Sequence, residues 1–197
     1  MREIGSTEGP IKIGPYSFLE FFEEVRKFHS FPAPGVVLGG IMVEAALKHM
    51  PSGILFNALS ETHKCLPDAI QLLTPCTIGN GWLSIRNFGR FALAFYDKET
   101  GKGIRVCLDP ARIEEWPEIK IWYYKLKPKE EVDSEILLDS IHKAGSSLCR
   151  LQEIQIQPVL LKKVKRGNRI ICPQCLEAYP DDGHGACPAC RGGSPYI

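Results

Sequence analysis

Hydrophobic and polar positions along the chain change period twice, marking a helical first quarter, a strand-rich middle and a short cysteine-rich end. Phe18, Phe21, Phe22, Val25 and Phe28/His29 recur at helical spacing and predict one heavily apolar helix face. Ser17 stands at the N-cap of this helix, with Glu20 three residues on in capping-box position. Ser30 to Pro34 reads as a proline-broken turn, and a second helix is predicted from Gly35 to about Met50. Val36, Val37, Leu38, Ile41, Met42, Val43, Ala45, Ala46 and Leu47 cover nearly its whole circumference, which places it inside a domain or a subunit interface. Gly39-Gly40 permits close helix approach at a cost in helix propensity. Glu44, the one acid in this run, is expected to reach the helix edge and water; pairing with Arg86 or Arg105 is the sharper account.

The period then shortens. Residues 54–60 read as a buried strand, and 82–86, 91–96 and 103–108 as three more, with a hairpin loop at 97–102. Ile104, Val106 and Leu108 alternate with Arg105 and Cys107, giving one apolar and one mixed face. Sequential hairpins imply an antiparallel sheet with helices packed on one face, an α+β fold. Asp109-Pro110 starts a helix that Pro117 interrupts, and the aromatic stretch 116–124 fits strand or helix. Asp133 caps a helix over 134–144 that ends at Gly145, and Leu151 to Val159 alternates like a half-exposed strand. The lead-in 1–16, with three glycines and two prolines, predicts little regular structure.

Between the helical and strand-rich parts lies Glu61–Gly81, ETHKCLPDAIQLLTPCTIGNG. Pro67 and Asp68 suit the first turn of a short helix, so Cys65 sits just before a helix N-terminus, where a thiol pKa is expected to fall. Thr74-Pro75 ends the helix, and Cys76 follows at once. Gly79 and Gly81, with the Thr77 hydroxyl, are placed to bind an anion such as a pterin phosphate through backbone N–H groups.

Composition narrows the function. The 197 residues suit one substantial domain and a small appendage; a formal charge of +1 gives no general drive toward nucleic acid or acidic membranes. No signal peptide or spanning apolar run is evident, so a cytoplasmic protein without membrane attachment is expected. Of eight cysteines, Cys172, Cys175, Cys187 and Cys190 form two CPxC turns. Two such turns supply four thiolates to one structural zinc, in a treble-clef or zinc-ribbon module, while His184 between them reads as a loop residue. The expected domains are a core at 1–161, a basic linker at 162–169 and the zinc module at 170–197. Lys162, Lys163, Lys165, Arg166 and Arg169 make nucleic acid an alternative partner, one that such a solvated run does not by itself support.

Cys65, Pro67-Asp68-Ala69-Ile70-Gln71 and Cys76-Thr77-Ile78-Gly79-Asn80-Gly81 resemble the core motif of the FmdE family, named after a component of formylmethanofuran dehydrogenase. The resemblance covers roughly residues 17–108 and the cysteine-rich tail. His29 and Pro34-Gly35 match the family's His-Gly-His-x-Cys-Pro-Gly segment, while Phe31 and Ala33 replace its second His and its Cys. The family implies an α+β core, a treble-clef zinc finger and a role accessory to molybdenum- or tungsten-pterin one-carbon metabolism, with a protein partner from that oxidoreductase system.

The core site expected on these residues is a second transition-metal, pterin or reactive-thiol site built from His29, Cys65 and Cys76, with His63 and Glu61 nearby. The opposing account makes each cysteine a small buried hydrophobe, and Cys107 and Cys149 receive that account outright. A homodimer is expected from the apolar second helix and the many aromatics. A non-catalytic module that dimerises and docks a protein through its zinc finger is the alternative function. No residue is assigned to catalysis.

Overall fold

The computed structural model describes residues 11–162 and 167–196. Lys163, Lys165 and Arg166 of the basic linker, and the first ten residues of the lead-in, lie outside the described residues. Two compact units are present, Met1–Gln157 and Pro158–Ile197.

The first unit opens with a two-residue ladder, β1 (Lys12–Ile13) and β2 (Tyr16–Ser17). Helix α1 (Phe18–His29) follows directly: Ser17 Oγ accepts the Glu20 N–H and the Glu20 carboxylate accepts the Ser17 N–H, so both halves of the capping box are made. Helix α2 (Pro34–Leu47) is the centre of the unit and is buried from Gly35 through Val43. Its apolar circumference is therefore absorbed within its own unit. At Gly40 a Cβ would stand 2.5 Å from Phe21 Cζ, so only glycine lets α1 lie this close. Glu44 departs from both expectations: its Oε2 accepts the Gly14 N–H at 2.8 Å and its Oε1 pairs with Lys48 at 3.3 Å, tying α2 to the β1–β2 turn.

Five strands form the main sheet: β3 (Phe56–Ser60), β4 (Leu83–Ile85), β5 (Ala92–Asp97), β6 (Lys102–Leu108) and β7 (Cys149–Gln155), with α3 (Leu66–Leu73) between the first two. The spatial order is β4-β3-β5-β6-β7. The α+β arrangement is as expected, with one difference. β3 and β4 run parallel, Ala58 opposite Leu83, because α3 carries the chain back to the same end of the sheet. β5 consequently pairs with β3, Ala58 opposite Phe95, and not with β4.

Helix α4 (Pro110–Ile113) starts at Asp109, whose side chain accepts the Ala111 N–H. The aromatic stretch resolves as helix α5 (Pro117–Tyr123), burying Ile119. Helix α6 (Ser134–Ala144) is capped by Asp133 and buries Leu137 and Ile141. Ile104, Val106 and Leu108 face this helical side and join the apolar core. Arg105 stands opposite Gln152 and Cys107 opposite Arg150, so those four share the other face. No helix among the described residues is long and apolar enough to cross a membrane.

The second unit contains a short helix α7 (Pro158–Leu161) and a hairpin of β8 (Arg169–Ile171) and β9 (Ala178–Pro180). A helical turn at Ala189–Gly193 breaks at Gly192, whose φ is 93°. Its small core is Cys172, Tyr179, Ala186 and Cys187, too little apolar surface to hold so short a unit without a further crosslink.

Candidate functional site

The four tail cysteines converge as their spacing predicts. Their sulfurs all lie within 4.8 Å of one another, and Cys175 and Cys187 are 3.7 Å apart. Four thiolates about 2.3 Å from one zinc ion have sulfurs about 3.8 Å apart, so the cluster fits a tetrahedral ion. The Cys187 N–H points at Cys172 Sγ at 3.4 Å. Backbone N–H groups of Cys175 and Cys187 pull the Cys172 thiol down to about 6, which favours the thiolate a metal needs. His184 stays outside the cluster, with Nδ1 3.2 Å from Asp182. This is a closed structural zinc site.

In the core, α3 separates the two cysteines of the Glu61–Gly81 segment. Cys65 precedes the helix in an unusual conformation, φ 55° and ψ −48°, and the Leu66 N–H donates to the Lys64 carbonyl at 2.5 Å. This is a γ-turn of the rare positive-φ form, in which a non-glycine residue is strained. The turn seats the thiol against α2 where Gly35 has no side chain; a Cβ there would lie 2.8 Å from Cys65 Sγ. The thiol pKa is raised, not lowered as the helix start suggested. Burial is the larger cause, and the Asp68 carboxylate adds to it, so desolvation outweighs the positive end of an eight-residue helix.

Cys76 lies beyond the other end of α3, fully buried, with its Sγ 3.6 Å from the Phe56 carbonyl; burial raises its pKa too. The turn after it closes on itself. Asn80 Oδ1 accepts the N–H groups of Thr77 and Trp82, Thr77 Oγ1 accepts that of Asn80, and Gln71 accepts that of Ile78. The Ile78 carbonyl accepts the Gly81 N–H at 3.1 Å. Thr77 and Gly81 are thus internally bonded, and their amides are not free donors for an anion. His29 Nδ1 lies 2.8 Å from Asp68 Oδ2, linking the end of α1 to the first turn of α3. His63 is exposed. Among the described residues, only the tail cysteines form a group of three or more His, Cys, Asp or Glu donors close enough to share an ion. His29, Cys65 and Cys76 do not assemble one.

A cleft with two chambers lies beside Cys65. The first, about 420 Å³, is lined by Gly35, Thr62, Lys64, Cys65, Trp122, Tyr123 and Lys125. The second, about 580 Å³, is lined by Arg90, Arg105, Cys107, Arg150 and Gln152; Gly89, Phe91 and Tyr123 border both. Beside the second chamber is Glu61, 4% exposed, which holds Arg105 Nε at 2.6 Å and Nη2 at 2.9 Å, and Arg90 Nε at 2.7 Å. The Arg105 guanidinium beside it holds the Glu61 carboxyl below the ordinary carboxylate value. Sequence reasoning placed Glu61 near a site but missed Arg90, Arg105, Arg150, Trp122 and Tyr123. Their one sequence signal was the polar alternation of Arg105 and Cys107 along β6.

Comparison with known proteins fits this geometry. Residues 28–156 match the family model described as "FmdE, Molybdenum formylmethanofuran dehydrogenase operon", and residues 163–197 match the FmdE treble clef zinc finger. The tail is therefore a treble clef. A crystal structure of an FmdE-like protein of tungsten formylmethanofuran dehydrogenase from Syntrophus aciditrophicus superposes with a TM-score of 0.90 at 46% identity, covering 96% of this chain and 100% of that one. A curated relative from Archaeoglobus fulgidus, described as a probable S-adenosyl-L-methionine-binding protein, is 24% identical over 189 residues, covering 85% of this chain. This chain spans about half of that relative's length, 51%. With both of its parts matched in order, the chain belongs to the FmdE family and carries that family's treble-clef zinc finger.

Proposed function

We propose that this chain is a cytoplasmic accessory protein of molybdenum- or tungsten-pterin one-carbon metabolism of the formylmethanofuran dehydrogenase type, and that its core cleft receives a pterin-class cofactor. The names of the family and of the Syntrophus relative supply the metabolic setting. The observation that carries the cleft's role is the Cys65 γ-turn, a strained backbone held at the wall of a chamber that also presents Trp122 and Tyr123. Strain of this kind persists where the surroundings over-determine it, and it gathers at binding and catalytic sites. Aromatic walls suit a planar ring, and Lys64 and Lys125 suit an anionic one. A pterin fits better than a second transition metal, because no three donors converge in the core among the described residues.

A planar anionic pterin such as 6-carboxypterin should quench tryptophan fluorescence saturably, and Trp122→Ala should remove most of the signal. Absence of saturable quenching at millimolar pterin refutes the reading. The protein acts in this scheme as a homodimer that docks a protein of the same oxidoreductase system. Exposed Phe28 and Phe31 offer apolar surface for such contacts, at 53% and 49% accessibility. Sedimentation showing monomer at high concentration would remove the dimer from the scheme.

A further inference from the structure

We propose that the chamber walled by Arg90, Arg105 and Arg150 is a subsite for a phosphate monoester, set beside the Cys65 chamber. The proposal rests on the cofactor reading of the cleft for its purpose, and its test is independent of Cys65. Three guanidinium groups and one carboxylate, Glu61, leave a formal excess of two positive charges here. No carboxylate lines either chamber among the described residues. A phosphate monoester carries about −1.5 to −2 near neutral pH, which matches that excess; a carboxylate carries half as much.

Glu61 does more than neutralise. Its side chain is 6% exposed and takes three guanidinium N–H groups, while Arg105 Nη1 donates to Gln152 Oε1 at 2.6 Å. Two guanidinium planes are thereby fixed in advance, which lowers the ordering cost when an anion arrives. Arg90 gives only its Nε to Glu61, and its terminal nitrogens have no partner among the described residues. The Arg150 side chain likewise has none. A purely structural pair with Glu61 would need Arg105 alone. Adding Arg90 and Arg150 to the same wall places like charges together, an arrangement that a dianion relieves. Tyr123 and Phe91 continue from this chamber into the next, so the organic part of the ester has an apolar path toward Cys65.

The test is calorimetric titration of the full chain with phenyl phosphate, inorganic phosphate and benzoate at low salt. Phenyl phosphate should bind saturably, inorganic phosphate should compete more weakly, and added salt should weaken both. Arg90→Gln and Arg150→Gln should each reduce affinity roughly tenfold or more, the size expected for losing a hydrogen bond to a charged group. Cys65→Ser should leave phenyl phosphate binding unchanged, which separates this subsite from the pterin reading. If a glutamine variant fails to fold, the lysine variant replaces it; lysine keeps the charge, loses the planar fork, and should still bind several-fold more weakly. Phenyl phosphate binding that is undetectable at millimolar ligand, or that neither arginine variant weakens, overturns the proposal. Benzoate binding as tight as phenyl phosphate overturns the choice of phosphate, and phosphate binding without phenyl phosphate overturns the ester.

Discussion

Gly35→Ala tests whether the Cys65 turn and α2 are built around each other. The new Cβ would lie 2.8 Å from Cys65 Sγ and 3.0 Å from Cys65 Cβ, against about 3.5–4.0 Å for ordinary contacts between heavy atoms. Rotating the thiol can relieve the first contact. It cannot relieve the second, because the Cys65 carbonyl accepts the N–H groups of Asp68 and Ala69, and the Lys64 carbonyl holds the Leu66 N–H. Overpacking of this kind costs about 1–3 kcal/mol, while replacing glycine by alanine within a helix returns about 1 kcal/mol. The net expectation is a loss of about 1–2 kcal/mol together with faster labelling of the displaced Cys65 thiol. Trp82, Trp116 and Trp122 are the three tryptophans of the chain and all lie in the first unit, so urea unfolding followed by tryptophan fluorescence reports on that unit alone. The midpoint should fall at unchanged slope. A variant at least as stable as the parent, with Cys65 labelling unchanged, would refute the tight fit between Gly35 and Cys65.

Three further outcomes follow from the same geometry. Glu61→Gln should cost the first unit about 3 kcal/mol, since it leaves Arg105 without a charged partner. The parent's Glu61 pKa is depressed, so its contribution is fully present above the ordinary carboxylate value of 4.5 and is lost as pH falls through the lower folded value; the variant should lose that part of the acid sensitivity in urea midpoints measured between about pH 6 and 3. Cys65 and Cys76 have raised pKa values and Cys149 is pushed up to about 12, so alkylation of the core thiols should be slow near pH 7.5 and accelerate above about pH 9; rapid labelling at neutral pH would contradict the burial argument. Chelation should release one zinc per chain and abolish the dispersion of tail amide NMR signals while leaving the tryptophan-monitored midpoint of the first unit unchanged; metal retained by a chain ending at Gly167 would show a second ion in the core.

What the sequence disclosed was whatever depends on near neighbours. Ser17 and Glu20, Asp109 with Pro110, Asp133, and the two CPxC turns each act within a few residues, and each forms as its local chemistry directs. The alternation of Ile104, Val106 and Leu108 also settled which face of β6 enters the core. The parallel β3–β4 pair was hidden because a strand carries no mark of its partner's direction, and the intervening α3 permits either return. The pKa of Cys65 was misjudged for a related reason. The helix start is visible in the chain, but the burying surface comes from Gly35 and Trp122, and burial dominates. Glu61 and Arg105 are 44 positions apart, so their pairing, and with it the cationic chamber, appears only once β3 and β6 are placed in one sheet.

The two departures from the family segment bear on what the cleft can hold. Ala33 is buried at the N-cap of α2, where its carbonyl accepts the N–H groups of Val36 and Val37; that is backbone work which any side chain allows. Phe31 turns its ring to the edge of His29 and lies under Lys129, and so offers no ligand atom where the family has a histidine. With neither neighbour able to donate, His29 Nδ1 takes Asp68 as its partner, and the histidine serves to fasten α1 to α3. Asp68 in turn raises the pKa of Cys65, which makes the thiol a poorer ligand at neutral pH. Each change moves the core away from gathering soft donors about an ion. What remains at the cleft is a thiol, aromatic walls and a surplus of positive charge, a chemistry suited to holding a planar anion by its face and its charged end.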